Sequence, residues 1–255
     1  MIAAFPMYDW PQVAGANDRL WAAIADRLRA SGHPAPDRLS RELGIWEAWE
    51  SADLILAQTC GMPYRTRLHG QVNLVATPDY GLPDAPAGHY YSELVVHADE
   101  PGDLPDFIDR TLAFNGQDSQ SGWAAPQNHV AGLGRRFTHT LHTGAHRESA
   151  RAVADGRAAI AAIDAVSWRL YRDHFPAEAA RLRVIGHTDP TPGLPLITAR
   201  SRPPAPLAAA ATEAVAGLDP EVRATLGLRG VVVIPASAYL AVPTPPAPSQ
   251  DAPAA

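Results

Sequence analysis

Asn115-Gly-Gln-Asp-Ser-Gln-Ser-Gly-Trp123 is the stretch on which the reading of this chain turns. The run before it, Arg110 to Phe114, has the apolar content of a buried strand, and Trp123-Ala-Ala-Pro126 opens a helix. A strand, a tight polar turn and a helix start together suit an anion. The first N–H groups of a helix have no partner inside it, and the helix dipole favours negative charge there. Ser119 and Ser121 add hydroxyls, and Gly122 lets a ligand approach the backbone. A plainer reading stays open, in which Ser119 or Ser121 is only the helix N-cap.

Outward from this turn the same arrangement recurs. Asp53 to Gln58 reads as a buried strand, Thr59-Cys-Gly61 as a turn, and Met62-Pro63 as a helix start. Ala158 to Ile163 is a strand of small residues ending at Asp164, with a helix over Trp168 to Arg172. Further strands are expected at 2–7, near 38–41, and at 71–77, 90–97, 137–141, 183–187, 196–200 and 231–235. Helices are expected at 17–31 (capped by Asn17), 45–50, 104–109, 146–156, 207–217 and 220–226. This alternation gives an α/β class with largely parallel sheets. In such sheets ligands collect beyond the carboxyl ends of the strands. That singles out Tyr8, Gln58, Thr59, Ser119, Ser121 and Asp164.

Composition removes several function classes. The 255 residues are 46% hydrophobic and 19% charged, as in an ordinary globular protein, and suit one large domain or two small lobes. A net charge of −6 argues against a nucleic-acid surface. There is no lysine, which excludes Schiff-base chemistry and the phosphate-loop lysine. Cys60 is the single cysteine, so an internal disulfide and a zinc cluster are excluded. Met1 to Tyr8 has no basic segment and only a short apolar run, so no secretion signal is visible. A cytoplasmic location is expected if Met1 is the native start; the alternative is a periplasmic protein whose signal is absent from this chain. No apolar run is long enough to span a bilayer, and no recognised catalytic motif is present. His139, His142 and His146 have tempting spacing, but no acid accompanies them in register, so no metal and no cofactor are expected.

Five marks in this order resemble the phosphate/phosphite/phosphonate-type substrate-binding proteins of ABC transporters, a branch of the type 2 periplasmic binding protein fold. They are the first strand into Met7-Tyr8, the turn Gln58-Thr-Cys-Gly61 followed by Tyr64, and Asn115 to Gly122. The others are Thr143-Gly-Ala-His-Arg-Glu-Ser149 and the strand ending in Asp164. The resemblance covers residues 1 to about 240. It implies two α/β lobes joined by two crossing strands with the ligand in the cleft. Tyr90 to His97 would lead outward and Leu196 to Arg200 would return. Lobe one would be 1–92 plus 198–240, lobe two 93–197, and the Pro/Ala-rich tail 241–255 is expected to be disordered.

The implied site consists of Tyr8, Gln58, Thr59 and Tyr64 from lobe one. Lobe two would add Asn115, Ser119, Gln120, Ser121, Gly122, His146 and Asp164. The family has Ser-Thr-Ser before its glycine; here Gln120 takes the middle place with an amide that also donates. His146 pairs with an anion when protonated and donates one bond when neutral, or it is a surface histidine. Asp164 accepts from an amine or hydroxyl of the ligand, or it caps the next helix. For Tyr8, Tyr64 and Trp168 core packing competes with lining the cleft. The implied function is a monomeric solute-binding protein that closes on a small anionic ligand and delivers it to an ABC permease. A lyase or synthase of the same fold acting on a small acid, or a ligand sensor, is the alternative.

Overall fold

The computed structural model describes residues 1–248. In chain order the strands are β1 (Ile2–Ala4), β2 (Leu54–Gln58), β3 (Val72–Asp79), β4 (His89–Tyr90), β5 (Ser92–His97) and β6 (Leu112–Phe114). They continue with β7 (Thr140–His142), β8 (Ile160–Asp164), β9 (Leu182–His187), β10 (Thr191–Pro192), β11 (Leu196–Ala199) and β12 (Gly230–Val232). The α-helices are α1 (Ala14–Ala30), α2 (Ile45–Glu50), α3 (Gly61–Pro63), α4 (Ala125–Ala131) and α5 (His146–Ala154). They continue with α6 (Ala165–His174), α7 (Pro176–Ala179), α8 (Pro204–Ala216), α9 (Pro220–Leu226) and α10 (Ala236–Leu240).

The chain forms two compact units. Unit 1 is Met1–His89 with Pro192–Ala241; unit 2 is Tyr90–Thr191 with the described residues from Val242 onward. The boundaries fall a few residues before those expected, at 89/90 and 191/192. The reason is that β5 lies wholly in the sheet of unit 2 and β11 wholly in that of unit 1.

Unit 1 holds a five-stranded sheet in the order β1-β2-β11-β3-β12. β1 and β2 are parallel, while β11 runs antiparallel to both β2 and β3, and β12 is antiparallel to β3. Its core gathers Trp49, Leu54, Ala57, Tyr64, Leu68, Ile197 and Tyr239. Full burial of one such large side chain contributes about 1.5–3 kcal/mol, more than an exposed ion pair provides.

Unit 2 holds a second five-stranded sheet, β7-β6-β8-β5-β9. β6 is parallel to β7 and β8, but β5 is antiparallel to β8 and β9. The expectation of largely parallel sheets is therefore corrected to mixed sheets. In each unit a strand arriving from the other unit, β5 or β11, enters against the direction of its neighbours, and hydrophobic periodicity does not record direction.

Three local expectations also change. Residues 38–41 form no strand: Ser40 N bonds the Ala3 carbonyl at 2.7 Å, but Arg41 turns to Asp9 and Asp18, and no ladder follows. α1 begins at Ala14, before Asn17. The buried Asn17 amide instead donates to the Tyr8 carbonyl and to Asp9, holding the segment after β1. Finally, the tail expected to be disordered is held at its start. Asn128 Nδ2 donates to the Pro243 carbonyl at 2.9 Å and Trp123 Nε1 to the Pro246 carbonyl at 3.1 Å. Residues 249–255 lie outside the described residues.

Candidate functional site

β6 ends at Phe114 and delivers the polar turn 115–119. Ser119 is the N-cap of the next helical run, and its Oγ accepts from Gly122 N at 3.0 Å. Capping is thus what the Ser119 side chain does in the fold. The first turn, Gln120–Ala124, is π-helical before α4 takes over. The Ser119 carbonyl accepts from Trp123 N at 3.3 Å and from Ala124 N at 3.0 Å, which widens the turn beyond an α pitch.

Gly122 has a different role from the one expected. A Cβ there would overlap Asn115 Oδ1, so the glycine makes room for the asparagine side chain rather than for a ligand. Asn115 Oδ1 is buried in that space and has no hydrogen-bond partner among the described residues. Gln120, in the middle position, is buried too.

Ser121 joins the turn to the histidine. Its Oγ lies 2.8 Å from His146 Nε2 and 3.4 Å from Ser119 Oγ. Its carbonyl accepts from Ser92 Oγ at 2.9 Å, so β5 props the turn from beneath. Ser92 in turn donates its N–H to Thr188 Oγ1 at 3.0 Å. His146 arrives from β7 through the turn at Gly144, whose φ of 84° suits glycine. Thr143 pins that turn, donating its N–H and its hydroxyl to the Phe114 carbonyl at 2.9 and 3.0 Å.

His146 retains some exposed surface, but protein surrounds its ring closely. Burial lowers its pKa from 6.5 to about 4, and the Ala162 backbone offsets this only in part. The imidazole is therefore neutral at physiological pH. A neutral ring can hold the Ser121 bond in either direction. When Nε2–H donates, the Ser121 hydroxyl proton is left for an oxyanion. The first turn, two serine hydroxyls and a neutral histidine thus offer hydrogen bonds to negative charge without a formal cation.

Asp164 ends β8 and is only 2% exposed. Its Oδ1 accepts from Val166 N at 2.8 Å and Ser167 N at 3.0 Å, so the structure realises the helix-cap reading. Trp168, on α6, is buried and stacks on Tyr171, which places it in the packing of unit 2.

In unit 1 the candidates divide. Gln58 Nε2 donates to the Tyr80 hydroxyl at 3.2 Å, and the Tyr80 ring meets Tyr8 edge-on with centroids 5.2 Å apart. These three form one cluster next to the carboxyl end of β2. Thr59 follows with 0% exposure, and its Oγ1 has no hydrogen-bond partner among the described residues. Tyr64 does not join them. It is 2% exposed, packs edge-on against Tyr239 at 5.3 Å, and belongs to the apolar core. Its expected place in the site is corrected to core packing, because α10 supplies a partner the sequence did not reveal. Cys60 is buried.

Tyr80, Ser92 and Thr188 are the polar residues that sequence reasoning missed. Tyr80 and Thr188 lie outside every element expected from the sequence, and Ser92 lies in a segment read only as a strand. Their one available signal was position, next to strand ends already singled out.

Among the described residues no group of three or more His, Cys, Asp or Glu is placed to hold a metal ion. His142 is exposed, its ring 5.2 Å from Phe114. A cavity of about 770 Å³ opens at the other, amino-terminal end of β6, beside Arg110 and Arg181. These two are already paired with Glu100 at 2.9 Å and Asp155 at 3.0 Å.

Comparison with known proteins gives the family and the fold. The family described as "ABC transporter, phosphonate, periplasmic substrate-binding protein" matches residues 22–239. No curated protein matches the sequence. Among solved structures, PhnD1 of Prochlorococcus marinus in complex with methylphosphonate is similar with a TM-score of 0.68 at 13% identity, covering 93% of this chain and 94% of that one. The XAC2383 protein of Xanthomonas citri bound to ATP gives 0.67 at 16% identity over 93% and 92%. A binding component of a phosphonate ABC transporter from Pseudomonas aeruginosa gives 0.65 at 17% over 91% and 80%. At these identities the likenesses show the fold, that of the type 2 periplasmic binding proteins.

Proposed function

The chain belongs to the phosphonate periplasmic substrate-binding family of ABC transporters, and on that premise we propose that it is a solute-binding protein that closes on a small phosphorus oxyanion. Phosphate, phosphite or a phosphonate is the ligand class, and the permease of an ABC transporter is the partner. The observation that carries this reading is the self-capped turn of unit 2. It brings Ser119, Ser121 and His146 together at the start of a helical run. Helix starts of this kind bind anions through N–H groups and dipole.

In this reading Ser119, Gln120, Ser121 and His146 hold the oxyanion, and Gly122 supports them by donating its N–H to Ser119 Oγ. Asn115 shapes the turn through the space at Gly122. Asp164 accepts from a donor elsewhere on the ligand, and Tyr8, Gln58 and Thr59 complete the site from unit 1. Hinge closure about the two crossings follows from contacts made only when both units engage the ligand. A periplasmic location follows from the family and replaces the cytoplasmic one expected from the first residues. Among the described residues no helix is long and apolar enough to cross a membrane.

A thermal-shift screen with phosphate, phosphite, methylphosphonate, methanesulfonate and small carboxylates tests the ligand class. A phosphorus oxyanion at a hundred times its Kd should stabilise the protein by about 2.7 kcal/mol. Stabilisation by carboxylates alone, or by nothing in the panel, would sink the reading. Closure predicts a smaller radius of gyration by small-angle scattering once that oxyanion saturates.

A further inference from the structure

The described part of the C-terminal tail has no helix or strand of its own beyond α10, yet it is fixed at both ends. On the unit 1 side, Tyr239 of α10 is buried, its hydroxyl 2.6 Å from Thr77 Oγ1 and its ring against Tyr64. On the unit 2 side, Asn128 holds the Pro243 carbonyl and Trp123 holds the Pro246 carbonyl. Both donors lie on the helical run 120–131, two and seven residues beyond Ser121. The held segment is Pro243-Thr-Pro-Pro-Ala-Pro248. Its prolines fix φ and remove N–H donors, so the segment is stiff and offers carbonyls, which are what the indole and amide donors need.

Between the two anchors stand only Leu240, Ala241 and Val242. A chain reaches at most about 3.3–3.6 Å per residue, so four steps from Tyr239 to Pro243 span no more than roughly 14 Å. We propose that residues 241–248 are a third connection between the units, a strap that limits how far they part and ties that motion to the helical run bearing Ser119 and Ser121. The proposal rests on the reading above that the units move. Opening beyond the slack of the link must break the Asn128 bond or draw Tyr239 away from Thr77.

The test uses the full chain. Spin labels are placed on cysteines introduced at the exposed positions Asp173 and Glu221, in a Cys60→Ser background, and distances are read by double electron–electron resonance without ligand. Two variants loosen the strap: Asn128→Ala, and a six-residue Gly-Ser insertion after Ala241. The insertion leaves every docking contact in place and adds about 20 Å of reach. A narrow distribution in the parent, with a longer-distance component in both variants, is expected. A parent distribution as broad as that of the insertion variant overturns the strap but keeps the moving units. A narrow distribution in all three overturns the strap and leaves the hinge reading to its own test, compaction on ligand binding.

Discussion

Two turns in this molecule are built on one plan and finished differently. In unit 1, β2 ends in Gln58, Thr59 and Cys60, and the helix that follows is α3 continued by a π-helical turn at Tyr64–Leu68. In unit 2, β6 ends in Asn115 to Ser119, and a π-helical turn is continued by α4. Each combines a buried strand, a helix start and a proline in its first turns. The unit 2 turn closes on its own polar groups: Ser119 caps it, Asn115 fills the space left by Gly122, and Ser121 meets His146. The unit 1 turn has no side-chain cap, sends Tyr64 into the core, and keeps a buried Thr59 hydroxyl without a partner among the described residues. The first joins two serine hydroxyls to a histidine ring. The second spends Gln58 on Tyr80 and leaves the Thr59 hydroxyl without a partner among the described residues.

Gly122→Ala should break that contrast most severely. The new methyl must displace Asn115, at a cost of roughly 1–3 kcal/mol as for other overpacked sites. Chemical denaturation reads this loss, and thermal shift with the stabilising oxyanion should show binding lost as well. If the variant is as stable as the parent, the packing account of the turn fails.

Acid should weaken unit 2 through His146. The unfolded imidazole takes a proton near 6.5, whereas the buried one stays neutral down to about 4. Stability is therefore complete above 6.5, falls as the pH drops from 6.5 toward 4, and is flat in this respect below. The loss should be roughly 1–2 kcal/mol, since the ring keeps some exposure. His146→Gln should flatten that window in a denaturation series; an unchanged pH profile would show that the ring is not held neutral.

Ser119→Ala removes the cap and should cost about 1 kcal/mol. Thr59→Val should go the other way. Replacing a buried, unsatisfied hydroxyl by a methyl of similar shape should leave the unliganded protein equally stable or more so, by up to about 1 kcal/mol. It should also reduce the oxyanion-induced shift if the hydroxyl serves the ligand. A variant that is destabilised and binds normally would mean that Thr59 is structural.

The strand–turn–helix units were legible because apolar runs, prolines and small polar caps are local signals. Ile45–Glu50, the strand before Gln58 and the strand ending in Asp164 all stand close to where periodicity puts them. The direction of β5 and β11 was not legible, because a side-chain period of two is the same in either direction. Tyr64 was misplaced for a related reason: its burial depends on Tyr239, far along the chain in a helix of five residues with no strong start signal. The cap at Ser119 could be read from sequence. The fit of Asn115 into the space at Gly122 could not, since it depends on a π-helical turn that propensities do not encode.

The central claim is that the unit 2 turn holds the oxyanion, and calorimetric titration of the Ser119→Ala/Ser121→Ala double variant tests it most directly. The titrant is the phosphorus oxyanion that best stabilises the parent, and circular dichroism confirms that the variant is folded. A hydrogen bond to a charged group is worth about 1.5–3 kcal/mol, so losing two should weaken binding by a factor of at least about a hundred. Affinity within twofold of the parent would contradict the account and move the site away from this turn.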